Sequence, residues 1–341
     1  MASVASAYLL ALALALLTTP LAAWAARRLG VLDLPSERKL HRMPTPLLGG
    51  VGVYLSFAVA TLAFARPVND LHIVLLLAGA AAFALIGIVD DVRSVGAVKL
   101  AVEAAVVVAI VWLGDVRVGL PGPYAGHLLA VGWIVGVANA LNCLDCADGT
   151  ASGAAATSAL ALALFAAIVQ RWAVAVTAAA LSGACVGFLR YNFPPARIFL
   201  GDSGSLMLGF LLGALAAALA ISLTSPWQVA ALGVILALPV YDFLLVHWRR
   251  YRSGIRSPVQ IMVSTGKDHL PHRLLAAGAS ARGVALRIAT ASALLGAGGL
   301  SLALWGPAAL LSAVALGAVG AVVAMRPVGV APVWGSPPSR R

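Results

Sequence analysis

Several of the twelve acidic residues in this 341-residue chain stand in groups whose spacing suits phosphate and metal chemistry. Asp90 and Asp91 are adjacent. Neighbouring like charges repel and raise one pKa unless a cation lies close, so the pair suits a Mg²⁺ ion or a general base. The plainer account is a helix end facing water, with Arg93 and Lys99 as partners. Asn139, Asn142, Asp145 and Asp148 recur every three residues. On a helix those steps keep them on one slowly drifting face, which Gly149 would end. Hard oxygen donors of this kind suit Mg²⁺, which keeps waters and also binds substrate phosphates.

Phe199-Leu200-Gly201-Asp202-Ser203-Gly204-Ser205 surrounds a carboxylate with Gly and Ser. Backbone N–H groups there can approach a phosphate, and the start of the following helix adds positive potential. Asp202 is suited to hold a metal and Phe199 to stack on a base; a helix N-cap run has the same composition. Asp268-His269-Leu270-Pro271-His272-Arg273 offers two imidazoles and a guanidinium. Such a set can grip a diphosphate, with Arg supplying a bidentate fork. It also fits a basic loop that only sets topology. Asp33 to Gly50 is a charged loop punctuated by Pro-Thr-Pro and Gly-Gly, which implies a shaped connection. Cys143 and Cys146 form a C-x-x-C with no second pair to complete a zinc site, and with Cys185 they make no disulfide framework.

The elements that position these groups must lie in lipid. The chain is 62% hydrophobic and 10% charged, against about 25% charged in soluble domains. A span needs about 20 mostly apolar residues. Eleven stretches qualify, near 5–25, 48–65, 72–89, 98–113, 128–142, 151–169, 173–190, 205–223, 227–247, 285–305 and 308–325. The fold class expected is all-α: a polytopic membrane protein of about 11 transmembrane helices. Residues 1–326 are expected to form a single integral-membrane domain, and 327–341, with four prolines, a disordered cytoplasmic tail. The first stretch has no basic residues before it and ends at Arg27 and Arg28, so it reads as a retained helix.

Net charge is +11. The positive-inside rule accounts for it better than nucleic acid does. With the N-terminus outside and the C-terminus cytoplasmic, 20 of 23 Lys and Arg fall on the inner side, and only Arg66, Arg117 and Arg171 lie outside. Nine of the twelve acids then also fall in or beside inner loops: Asp33, Glu37, Asp90, Asp91, Asp145, Asp148, Asp202, Asp242 and Asp268. Carboxylates at membrane depth are expensive and usually functional. Several on one face imply a shared site there.

Six ordered motifs, at 33–50, 90–91, 139–149, 199–205, 239–242 and 269–274, resemble the polyprenyl-phosphate N-acetylhexosamine-1-phosphate transferases. That superfamily, of glycosyltransferase family 4 type, includes phospho-N-acetylmuramoyl-pentapeptide transferase. The resemblance implies transfer of a sugar 1-phosphate from a UDP-sugar to polyprenyl phosphate, with release of UMP and a need for Mg²⁺, for which Mn²⁺ can substitute. It implies that Asp90, Asp91 and Asp202 are catalytic, with Asp202 the metal ligand. Phe199 and Asp148 would hold the uracil, Asn142 and Asp145 would line the nucleotide cleft, and His269, His272 and Arg273 would meet the diphosphate. The chain departs from the usual His-x-His-His at Pro271 and has Gly266 where an Asp is common.

Partners implied are a UDP-N-acetylhexosamine, undecaprenyl or decaprenyl phosphate and membrane lipid, with no nucleic acid and with room for a homodimer. The location implied is the bacterial cell membrane, with the site on the cytoplasmic face and UDP-N-acetylglucosamine the favoured donor, for the first membrane step of a cell-envelope glycan pathway. The alternative within the superfamily is the muramoyl-pentapeptide branch. An ion-coupled transporter, a different class, would place carboxylates at mid-membrane in broken helices, and only Glu103 has that character.

Overall fold

In hydrocarbon every backbone polar group must be satisfied within its own segment, which leaves long apolar stretches little choice but helix. The computed structural model, which describes residues 2–34, 43–65, 70–93, 95–119, 122, 124–257, 260–261 and 266–325, follows that rule. Its helices are α1 (Ala2–Leu29), α2 (Gly49–Phe64), α3 (Leu71–Arg93), α4 (Ala97–Leu113), α5 (Ala125–Leu144), α6 (Thr150–Ile168), α7 (Trp172–Asn192) and α8 (Gly201–Ala220). Then come α9 (Pro226–Ile235), α10 (Ala237–Arg252), the short α11 (Leu270–Ala276), α12 (Ala281–Trp305) and α13 (Leu310–Met325).

Each of the eleven apolar stretches coincides with helix, but not each with a full span. Among the described residues seven helices are long and apolar enough to cross a membrane, or eight if the bent pair α9–α10 counts as one. That ninth stretch is not straight: Leu236 leaves helical geometry and the two halves meet at 70°. α2, α4 and α13 have 16, 17 and 16 residues, below the roughly 20 a straight span needs. The count of eleven therefore exceeds what helix length by itself supports. The tail from residue 327 lies outside the described residues.

α8 is the centre of the bundle. It is apolar all round and buried all round, as such helices are. It packs on α3 and α5, with α2 and α6 beside it, while α1 lies along α7 and α2, and α12 along α6 and α9. The periphery is apolar too: Leu17, Leu21 and Trp24 of α1 are 66%, 64% and 58% exposed. Such a face suits lipid and not water. After α1, a two-stranded antiparallel ribbon pairs β1 (Leu32–Asp33) with β2 (Thr45–Pro46), Leu32 opposite Pro46. This ribbon brings the first loop to the same end of the bundle as the N-terminus of α8.

Candidate active site

The C-terminal ends of α3 and α5 meet the N-terminal end of α8 around a cavity of about 1040 Å³. Close packing makes this meeting possible. A Cβ on Gly87 of α3 would overlap the backbone of Asp202 and Ser203, and one on Gly50 of α2 would overlap that of Ser203 and Gly204. Gly201 turns the chain into α8 with φ +70°, a conformation that costs glycine little. The run at 201–205 is thus not a cap ahead of the helix. It is the first turn itself, and Asp91 supplies the cap from another helix. Its carboxylate accepts the N–H groups of Asp202 (3.0 Å) and Ser203 (3.3 Å).

Asp202 is held on both oxygens. Oδ1 accepts Asn142 Nδ2 at 3.0 Å and Oδ2 accepts Lys99 Nζ at 3.0 Å. Lys99 also donates to Asp90 at 2.7 Å, and Asp90 accepts the Val95 N–H at 2.8 Å. The adjacent pair is therefore divided in position. Asp91 lines the cavity beside Asp202, whereas Asp90 anchors Lys99 from behind. One turn deeper, buried Glu103 accepts Asn139 Nδ2 at 2.6 Å.

The expected polar stripe at 139, 142, 145 and 148 is only half helical. α5 ends at Leu144, and Asp145 and Asp148 lie in the turn before α6. Gly149 does not end α5: with φ +74° it precedes α6, and its N–H bonds Asn192 Oδ1 at 3.0 Å. The reason is local: the Thr150 hydroxyl donates to the carbonyls of Leu144 (2.8 Å) and Ala147 (2.7 Å) and closes the turn. The departure from helix places both carboxylates in the cavity wall. Asp148 accepts the Ala196 N–H at 2.9 Å, and Phe199 lines the same cavity. Asp145 accepts no hydrogen bond from the described residues. Burial, reinforced by the charges of Asp202, Asp91 and Asp148, pushes its carboxyl well above the ordinary range.

The histidine loop is divided as well. His272 lines the cavity, and burial, with the charges of His269 and Lys267 adding to it, holds it below the ordinary imidazole value. His269 stands behind it, donating Nδ1–H to Asp242 at 2.8 Å while Leu270 N–H takes the other Asp242 oxygen at 2.7 Å. Asp242 is 1% exposed. A carboxylate on Nδ1 fixes the orientation of the ring. Asp268 is held by a buried fork from Arg250, at 2.8 and 2.9 Å. Burial opposes its charge, but the Arg250 bonds hold its carboxyl below the ordinary value. Arg273 is not among the cavity-lining residues; its charge sits with Arg249, Tyr241 and Asp242.

Of the ten residues expected at the site, the cavity wall contains Asp91, Asp145, Asp148, Phe199, Asp202 and His272. Asn142, Asp90 and His269 act on that wall from one contact back, and Arg273 is apart. Sequence reasoning missed Asn192 and Arg282 as site residues, and had Asp242 only as part of a motif. Asn192 holds the 145–149 turn and the Ile198 carbonyl; Arg282 lines the cavity and donates Nε–H to the Pro194 carbonyl at 3.0 Å. Neither has a local signal, because each acts through a partner distant in sequence.

Among the described residues no three His, Cys, Asp or Glu side chains converge into a metal cage. The donors present are hard oxygens, one of them the unbonded carboxylate of Asp145. That set fits an ion that keeps its waters and shares substrate phosphates, as Mg²⁺ does, and not a cation needing a closed protein shell.

The chain resembles known proteins along most of its length. Residues 72–248 match the model of glycosyl transferase family 4. A probable undecaprenyl-phosphate N-acetylglucosaminyl 1-phosphate transferase of Bacillus subtilis is 29% identical over 286 residues, covering 81% of this chain and 78% of the relative. The decaprenyl-phosphate N-acetylglucosaminephosphotransferase of Mycolicibacterium smegmatis is 32% identical over 304 residues, 77% of this chain and 73% of the relative. A phospho-N-acetylmuramoyl-pentapeptide-transferase of Moorella thermoacetica is 36% identical over 201 residues, but these cover only 52% of this chain and 62% of the relative. The match takes in α3 to most of α10, the helices and turns that carry Asp90, Asp91, Asn142, Asp145, Asp148, Phe199, Asp202 and Asp242, and with that the chain belongs to glycosyl transferase family 4.

Proposed function

We propose that this multi-pass membrane enzyme moves N-acetylglucosamine 1-phosphate from UDP-N-acetylglucosamine to polyprenyl phosphate, at the cytoplasmic face of the bacterial membrane. The observation that supports it most is the polar cavity at one end of an apolar bundle, walled by Asp91, Asp145, Asp148, Asp202, Phe199 and His272. A water-soluble nucleotide and a lipid phosphate can meet only at such a boundary. The names of relatives that match along three-quarters or more of this chain favour the N-acetylglucosamine donor over the muramoyl-pentapeptide one.

In the reaction an oxygen of the lipid phosphate attacks the phosphorus that carries the sugar. The bond from that phosphorus to the bridging oxygen breaks, and its electron pair leaves with UMP. Catalysis of this kind is mostly positioning and neutralisation of charge. Asp202, with Asp145 opposite, would hold Mg²⁺, which supplies charge neutralisation at the diphosphate. Lys99 and Asn142 fix the orientation of Asp202. Asp91, by capping α8, ties that turn to α3, and as the member of the acidic pair that lines the cavity it would receive the lipid phosphate's proton. Asp148 and Phe199 take the uracil end, and His272, backed by His269 and Asp242, faces the diphosphate, with Arg273 next to it in the same short helix.

Purified protein incubated with polyprenyl phosphate and each labelled UDP-sugar tests the reading. Labelled lipid is expected from UDP-N-acetylglucosamine, with UMP released in equal amount. Lipid labelled only from UDP-N-acetylmuramoyl-pentapeptide would transfer the chain to the other branch. No labelled lipid from any donor would refute the activity.

A further inference from the structure

Among the described residues that line the cavity the charge is lopsided, even with Lys99 paired to Asp202 from behind the wall. Its described wall contains five carboxylates, those of Asp33, Asp91, Asp145, Asp148 and Asp202, and only two side chains able to bear positive charge, His272 and Arg282. Burial favours neutral His272. Arg282 is thus the one permanent cation among the described cavity-lining residues, since a guanidinium does not lose its proton near neutral pH. A nucleotide diphosphate brings further negative charge into this wall, and one divalent ion offsets only part of the total.

Arg282 is also pre-aimed. Its Nε–H donates to the Pro194 carbonyl at 3.0 Å, which holds the stem against the 194–196 wall. That bond uses the side edge of the guanidinium and leaves the two terminal nitrogens as an end-on fork, the geometry that takes two phosphate oxygens at once. The backbone holds the residue in place: Arg282 sits in the first turn of α12, whose N-cap Ser280 accepts the Gly283 N–H at 3.1 Å. Ser280 and Ala281 face the same cavity.

We propose that Arg282 is a substrate-binding residue that grips the diphosphate of the nucleotide sugar through its two terminal nitrogens. The inference rests on the nucleotide-sugar reading above and adds a residue that lies outside every motif in the sequence and outside the matched residues 72–248. It moves the guanidinium contact from Arg273, which does not reach the cavity, to a residue nine positions on.

The test is equilibrium binding of UDP and of uridine to the full chain in phospholipid nanodiscs, for the parent, Arg282→Gln and Arg282→Lys, with thermal unfolding as the check on folding. Arg282→Gln is expected to weaken UDP at least about tenfold, the order of one charged hydrogen-bonded contact, and to leave uridine unchanged. Arg282→Lys should recover part of the loss, because a point charge replaces a fork. Unchanged UDP affinity in Arg282→Gln overturns the proposal. So does a parallel loss of UDP and uridine, which would make Arg282 a strut for Pro194. Should Arg282→Gln fail to fold, Arg282→Lys decides: a loss confined to UDP upholds the contact, and parental affinity for both ligands overturns it. A parent that binds no UDP at all removes the nucleotide reading and this proposal with it, an outcome distinct from a parent that binds and a variant that does not differ.

Discussion

At the scale of single residues, the site depends on carboxylates held by different means. Asp202 is oriented by two donors, Lys99 and Asn142. Asp202→Asn keeps the shape and one acceptor oxygen but loses the charge. It should leave a folded, membrane-inserted protein whose transfer rate falls at least about a hundredfold, or about 2.7 kcal/mol of transition-state stabilisation. EDTA should abolish the parent's activity and Mg²⁺ restore it; turnover that survives chelation would contradict a metal at Asp202. Asp145 makes the opposite case, a carboxyl raised by burial among like charges. A raised carboxyl favours the folded state while protonated. That contribution is fully present below the unfolded value of about 4 and is lost as pH rises through the folded one. Asp145→Asn removes the repulsion, so in EDTA it should raise the unfolding temperature at pH 7, with the gain shrinking toward pH 4, while transfer activity falls. An unfolding temperature that shifts equally at both pH values would exclude charge as the cause.

At the scale of elements, the site is a junction of helix ends, and its precision comes from backbone contact. α3 and α8 approach so closely at Gly87 that a single methyl group would meet the backbone of Asp202 and Ser203. Backbone cannot rotate away as a flexible side chain can, so the two helices would have to separate. Gly87→Ala should therefore cut transfer more severely than it lowers the unfolding temperature, because the first part displaced is the Asp91 cap and with it Asp202. Gly132→Ala, where a methyl group meets nothing within 4 Å, is the matched control and should be close to silent. Equal rates for the two variants would show that the α3–α8 contact does not set the site.

At the scale of the whole molecule, the α4–α5 connection lies at the opposite end of α5 from Asp145, while the Arg250–Asp268 pair lies with the histidine loop at the site end. On the eleven-span reading of the sequence, 20 of the 23 basic residues are expected on the cytoplasmic side. Single cysteines placed at Ser253 and at Gly122, in a background without Cys143, Cys146 and Cys185, should react with a membrane-impermeant thiol reagent from the cytoplasmic and outer sides respectively. Reversed labelling would put the cavity on the outside, away from cytoplasmic nucleotide sugars, and would refute the proposed reaction.

Composition and run length were enough to determine an all-helical membrane protein, because a stretch such as 205–223 has no soluble alternative. Spacing and residue type singled out Asp90, Asp91, Asp202 and the 139–148 run, because hard oxygens near a lipid boundary are costly unless used. Local periodicity could not reveal which helix end each group would meet. Asp91 caps a helix that begins 110 residues later, Asp242 orients a histidine 27 residues on, and Arg282 leans on a carbonyl 88 residues back. It also misplaced Asp145 and Asp148 on a helix, since the Thr150 hydroxyl that closes their turn competes with the helical pattern. Pairings of that kind come from how helices pack in three dimensions, and the packing is set by glycine contacts and cavity shape that leave no period in the sequence. For that reason only the tertiary structure separated Arg282 from Arg273 and Asp91 from Asp90.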